Sequence, residues 1–133
     1  MTAKSNNQTL EAFTAGADLS AVQHHFMKLS AADTVTLAGS LGDLNVAGVL
    51  VNNPQSGEAA TVCMNGMVPV VCGSSIAVNA LITVSASGRA ITSAPASGTS
   101  QMVVGRVLEA SGADGDIVTA WVHQPWRYTN PNF

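Results

Sequence analysis

The sequence predicts an all-β protein: a small β-barrel or sandwich of about eight short strands, preceded by a flexible N-terminal arm. Three observations lead there. Short runs of β-branched and apolar residues recur at regular spacing between clusters of Gly, Asn, Ser and Pro. No segment carries a long 3.6-residue apolar period, so no long helix is expected. Gly, Ser, Ala, Thr and Val dominate, and only 10% of the chain is charged. Disorder needs low hydrophobicity with high charge, so most of the chain folds. At 133 residues it is expected to form one domain with a core of its own.

Residues 1–20 come first. Asn6, Asn7, Gln8 and Thr9 are polar, and Leu10, Ala12 and Phe13 follow. The segment admits a short helix over residues 10–17 or an arm that orders only against a partner. The arm is favoured, because isolated helices this short are marginal in water. Strand signals then begin, over residues 23–29 and 33–38, with Ser30, Ala31 and Ala32 as a hairpin link. Residues 46–51 form the next strand, closed by a turn cluster at residues 52–57. Residues 58–64 and 67–72 flank Asn65-Gly66, the strongest short-range hairpin signal. Pro69 has no N–H to donate, so its strand is an edge, carries a bulge, or follows a longer loop. Residues 81–85 lead into a Ser87-Gly88-Arg89 turn and a low-complexity loop over residues 93–100. Residues 101–110 and 116–123 bracket a turn-rich link at 111–115. Three segments result: an arm (1–20), a β core (21–124) and an aromatic tail (125–133).

Between Glu58 and Arg106 the only charged residue is Arg89. The surface of this stretch is therefore mostly hydroxyl, amide and methyl, which suits close packing against other protein copies. A homotrimer or higher closed oligomer buries such a face on every copy. The net charge is −3 and the five cations are scattered, so no basic stripe for nucleic acid exists. No apolar run approaches the roughly 20 residues that span a bilayer. The first ten residues lack the hydrophobic stretch of a secretory signal, so synthesis and retention in a reducing cytoplasm are expected.

Chemistry-bearing patterns are sparse. An Asn65-Gly66 hairpin places Cys63 opposite Val68 and Cys72 opposite Ala59, about 13 Å apart along the ladder at ~3.3 Å per residue. A disulfide needs Cα atoms within about 7 Å, so both thiols are expected free and buried. Apolar neighbours Val62, Met64 and Val71 raise a thiol pKa, the wrong direction for a nucleophile. His24 and His25 are adjacent and point to opposite faces in a strand, and His123 is distant in sequence. Asp114-Gly115-Asp116 lacks the further ligands of a calcium loop and reads as a turn. There is no nucleophile elbow or phosphate loop. The expectation is a protein that is not an enzyme and needs no cofactor or metal.

The tail holds Trp126, Arg127, Tyr128 and Phe133. It either folds back on the core or meets a subunit or partner, since aromatics and Arg are enriched at interfaces. Leu10 and Phe13 are the apolar anchors of the arm. These six residues are the candidate contact set.

The order Gly57-Glu58, a hydrophobic strand, Asn65-Gly66, Val68-Pro69-Val70, then residues 81–84 and Ser87-Gly88-Arg89, resembles small bacteriophage head decoration (cement) proteins. Residues 104–110 and then 115–118 are similar to their last two strands. The resemblance covers roughly residues 43–124; the aromatic tail departs from it. It implies a virion protein, made in the host cytoplasm, that binds and stabilises the outside of an icosahedral capsid. Its partners would be the major capsid protein and two further copies of itself. In lambda-type members an extended N-terminal arm engages the shell, a role open to residues 1–20. The alternative is a carbohydrate- or receptor-binding β module of a phage fibre or adhesin. Such modules place aromatics and acids in a shallow site, and here Trp121 is the only aromatic within the final strands.

Overall fold

The computed structural model describes residues 8–39 and 45–130. Nine strands and no helix are present among them. They are β1 (Thr9–Ala15), β2 (Phe26–Ala31), β3 (Thr34–Leu37), β4 (Val46–Leu50), β5 (Ala59–Val71), β6 (Leu81–Val84), β7 (Ala90–Thr92), β8 (Ser100–Val107) and β9 (Ile117–Thr129). Five of them close on themselves in the order β1-β3-β2-β4-β5-β1, a small barrel. The remaining strands extend β5 into a second sheet, β5-β9-β8-β6-β7. The all-β barrel expected from the sequence is what forms.

The 13-residue strand β5 belongs to both units. Its first half pairs with β1 and β4, and its second half pairs with β9 from Gly66↔Val122 to Val71↔Ile117. The expected Asn65-Gly66 hairpin is therefore absent, and the chain runs straight through. The backbone explains why. A type I′ turn needs φ > 0 at both central residues. Here Gly66 has φ 124° and Asn65 is not in that region. One glycine in an unusual conformation makes a kink, and the pairing with β1 shifts register at the same point. The kink also changes which residues face inward. Ala60 and Val62 point into the barrel, whereas Cys63, Val68, Val70 and Cys72 join the core between barrel and second sheet. Pro69 sits where it costs nothing. The Met67 carbonyl and the Val71 N–H turn away from β9, to Gln8 and to the His24 carbonyl, so the missing Pro69 N–H falls on that same side.

Two apolar clusters hold the fold. Met27, Val35, Leu50, Ala60 and Val62 fill the barrel, and Ala15 and Leu19 close one end. Phe26, Val49, Cys63, Ile82, Val104, Val118 and Val122 lie between the barrel wall and the second sheet. Two glycines permit close backbone approaches. A Cβ on Gly48 would overlap the Cys63 carbonyl oxygen, and one on Gly105 would overlap that of Trp121. At the expected β2–β3 hairpin Asp33 takes φ 54°, a conformation that short Asx side chains tolerate.

The start of the chain differs from the sequence reading, and the described part of the tail takes its fold-back alternative. Thr9–Ala15 is neither helix nor unpaired arm but a strand, opposed to β5 at six positions and to β3 at two. Its burial is slight: only Ala15 is buried and Phe13 half-buried, so it is held mainly by ladder hydrogen bonds. Residues without a strand's strict apolar alternation thus become one because two open edges are available. At the other end β9 runs on to Thr129, so Trp126, Arg127 and Tyr128 pair with Val103, Met102 and Gln101 of β8.

Candidate functional site

The titratable and nucleophilic groups are dispersed. Cys63 and Cys72 are free and buried, nine residues apart along a nearly continuous extended segment rather than across a hairpin. Burial pushes both thiols above their ordinary pKa, offset in part at Cys63 by a hydrogen bond to the Asn65 backbone and at Cys72 by the Ser111 hydroxyl. His24 lies in a turn, not a strand, with φ 67°. Its backbone joins the two units, donating to the Leu50 carbonyl (2.7 Å) and accepting from the Val71 N–H (3.0 Å). Its Nδ1 is buried without a partner, and burial, then the neighbouring His25, lower its pKa. Among the described residues no three His, Cys, Asp or Glu side chains converge on a metal-sized site. Asp116 closes a turn by accepting the Gly112 and Ala113 N–H groups, and Asp114 pairs with Arg89 at 2.6 Å.

What the fold does assemble is a surface. One end of the barrel opens into a groove of about 620 Å³. Thr9 and Glu11 of β1 form one side of its lining and Gln124 and Pro125 of β9 another, over a floor that includes Leu29, Ala47 and Met64. Asn65 lines this groove and also a smaller cleft of about 170 Å³ with Gly66, Met67 and Trp121. Trp121 is 47% exposed, with the Arg106 guanidinium carbon 5.7 Å from its ring centroid. Ile117, two turns of the pleat away on the same strand face, is 50% exposed.

The sequence-derived contact residues fall into different settings. Leu10 is exposed on β1 opposite Cys63, and Phe13 is half-buried against the barrel cluster. Trp126 is 42% exposed and stacks on His123, with ring centroids 6.0 Å apart. Its indole N–H donates to His123 Nε2 at 3.1 Å, and His123 Nδ1 lies 2.8 Å from the Gln124 carbonyl. Arg127 is exposed and Tyr128 half-buried. Phe133 lies outside the described residues. The start of β1 and the middle of β9 therefore meet at one groove, through Thr9, Glu11, Gln124 and Pro125 rather than through the apolar anchors. Arg106 and Ile117 were missed, and Trp121 was noted only for the carbohydrate-binding alternative and not among the contact residues. The signal was present: Val118, Ala120 and Val122 alternate inward, which leaves Ile117 and Trp121 on the outer face.

No family model matches this chain, and no curated protein matches it. Among solved structures it is similar to the N base of the head fibre gp8.5 of bacteriophage phi29, with a TM-score of 0.61 and 21% sequence identity. The similarity covers 88% of this chain and 97% of that one, so both the barrel and the second sheet lie within it, and the likeness is one of fold.

Proposed function

We propose that this chain is a structural virion protein of a bacteriophage, one that binds the outer surface of the icosahedral capsid as a trimer and cements it. The observation that carries the reading is the near-complete overlap of its fold with a head-fibre base. The charge-poor stretch from Ala59 to Gly105 supports it, because that stretch supplies β5 to β7 and much of β8, a large share of the second sheet. We read the role as non-catalytic, with both thiols buried and their pKa raised. The partners are the major capsid protein and other copies of this chain, and the location is the capsid surface. The apolar features that water would otherwise meet outside the groove (Leu10, Ile117 and Trp126) supply the contacts.

The test mixes purified protein with heads that lack it, followed by co-sedimentation and imaging. Saturable, regularly spaced density on the outer shell is expected, together with raised resistance of the heads to heat or chelation. Absence of the protein from sedimented heads at high micromolar concentration refutes the reading. Sedimentation equilibrium of the free protein reports separately whether the trimer forms before docking.

A further inference from the structure

We propose that the groove running from the barrel mouth past Asn65 to Trp121 is a binding site for an uncharged oligosaccharide. The mouths of β-barrels are recurrent ligand sites. The Trp121 cleft adjoins this mouth at Asn65, which lines both. The cleft, at about 170 Å³, is smaller than a closed drug-sized pocket of roughly 300–1,000 Å³, so it takes one ring while the larger groove takes those that follow.

The chemistry of the lining selects the ligand. A pyranose ring presents C–H groups on its faces and hydroxyls around its rim. Trp121 offers a half-exposed indole with the Arg106 guanidinium over one face, and its other face is the platform for a C–H face. Asn65 and Gln124 bring amides that both donate and accept, and Glu11 brings a carboxylate that accepts from hydroxyls. Glu11 makes no ion pair and no side-chain hydrogen bond among the described residues, so its oxygens are available at the groove. An apolar protein segment laid over this carboxylate would bury it unpaired at a large desolvation cost. An anionic ligand would meet both Glu11 and a chain of net charge −3. A neutral polyol with apolar faces satisfies the aromatic, the amides and the carboxylate together. Two of these elements, the acid and the aromatic, lie 110 positions apart in the sequence, at Glu11 and Trp121, and only the fold joins them through Asn65.

The experiment applies the full chain to an array of neutral and uronic-acid oligosaccharides. The strongest neutral hit is then titrated against the wild type, Trp121→Ala, Glu11→Gln and Trp126→Ala. All three positions are exposed, and thermal melting confirms folding of each variant. Trp121→Ala is expected to weaken binding about tenfold or more, Glu11→Gln about threefold, and Trp126→Ala less than about twofold. The proposal is overturned if no neutral oligosaccharide binds, if only acidic ones bind, or if Trp121→Ala leaves affinity unchanged. The same variants are tested for co-sedimentation with capsids. Loss of head binding in Trp121→Ala with no sugar bound by the wild type makes the groove a protein-docking surface and also overturns the proposal. Lost sugar binding with head decoration intact supports it and leaves the capsid reading standing separately.

Discussion

The sharpest test of the architecture is a disulfide between β1 and β5, because it asks whether the start of the chain is a barrel strand or an arm. Thr14 and Ala59 are directly opposed. The Thr14 N–H donates to the Asp33 carbonyl, and the Ala59 carbonyl accepts from Asn52, so both face away from each other's strand. The pair is therefore non-hydrogen-bonded, the antiparallel arrangement with Cα atoms about 4.5 Å apart and side chains closest. That distance is within the range a disulfide accepts. Both positions are exposed, and Ala59 is four residues from Cys63, which keeps the native thiol out of reach. Thr14→Cys with Ala59→Cys closes a loop whose ends are 45 positions apart. In the chain-entropy treatment a loop of that length stabilises by about 4 kcal/mol, which for a chain of this size raises Tm by roughly 10–15 °C. The assay is mass spectrometry under non-reducing conditions, then melting with and without reductant. The expected product is an intrachain bond in nearly all molecules and a Tm gain that reductant abolishes. Predominant interchain dimers, or free thiols after mild oxidation, would show that β1 is not docked on its own barrel.

Removing residues 2–18 should destabilise the protein, because Met27, Val35 and Val62 lose a barrel wall; denaturant melts should show a loss on the order of 3 kcal/mol or more. Gly105→Ala should cost at least about 2 kcal/mol in the same melts, since its Cβ overlaps the Trp121 carbonyl, whereas Gly115→Ala, where a Cβ meets nothing, should cost only its strained φ of 95°. His24 has a lowered pKa in the fold, so the unfolded chain binds its proton first as pH falls. Stability is full above about pH 6.5 and declines below it as the unfolded state protonates, and His24→Gln should flatten that slope in melts taken from pH 8 to 5. Cys63→Ser and Cys72→Ser should each lower stability by about 1–3 kcal/mol while leaving head binding in co-sedimentation unchanged.

Much of the fold was legible because strand alternation and turn chemistry are local. The Ser87-Gly88-Arg89 turn forms with φ 72° at Gly88, and Asp116 folds residues 112–116 into the turn that the sequence suggested. What was illegible depends on partners far away in the chain. Asn65-Gly66 spells a hairpin only if the flanking strands pair with each other, and here each half finds a better edge, β1 and β4 on one side of the kink and β9 on the other. The seven residues of β1 carry one buried side chain, so no apolar period marks them; the open edges of β3 and β5 make them a strand. β7, with three residues, is too short to signal itself. The groove was hidden for the same reason. Glu11 and Trp121 look like an isolated acid and an isolated aromatic until β1 and β9 are brought to either side of Asn65.

The kink at Asn65-Gly66 ties these observations together. A single strand that serves two sheets must rotate its inward face between them, and the conformational freedom of Gly66 allows it to do so within one residue. The consequence is that Met64 faces the barrel mouth, Asn65 stands at the rim, and Met67 lies on the outer face beside Trp121. Fold and surface are thus set at the same point. β5 closes the barrel by pairing with β1 up to Asn65, and the same residue lines both cavities. Because both apolar clusters draw residues from β5, neither unit keeps its core when the other is lost, and the chain should unfold as one cooperative body rather than shed the barrel first.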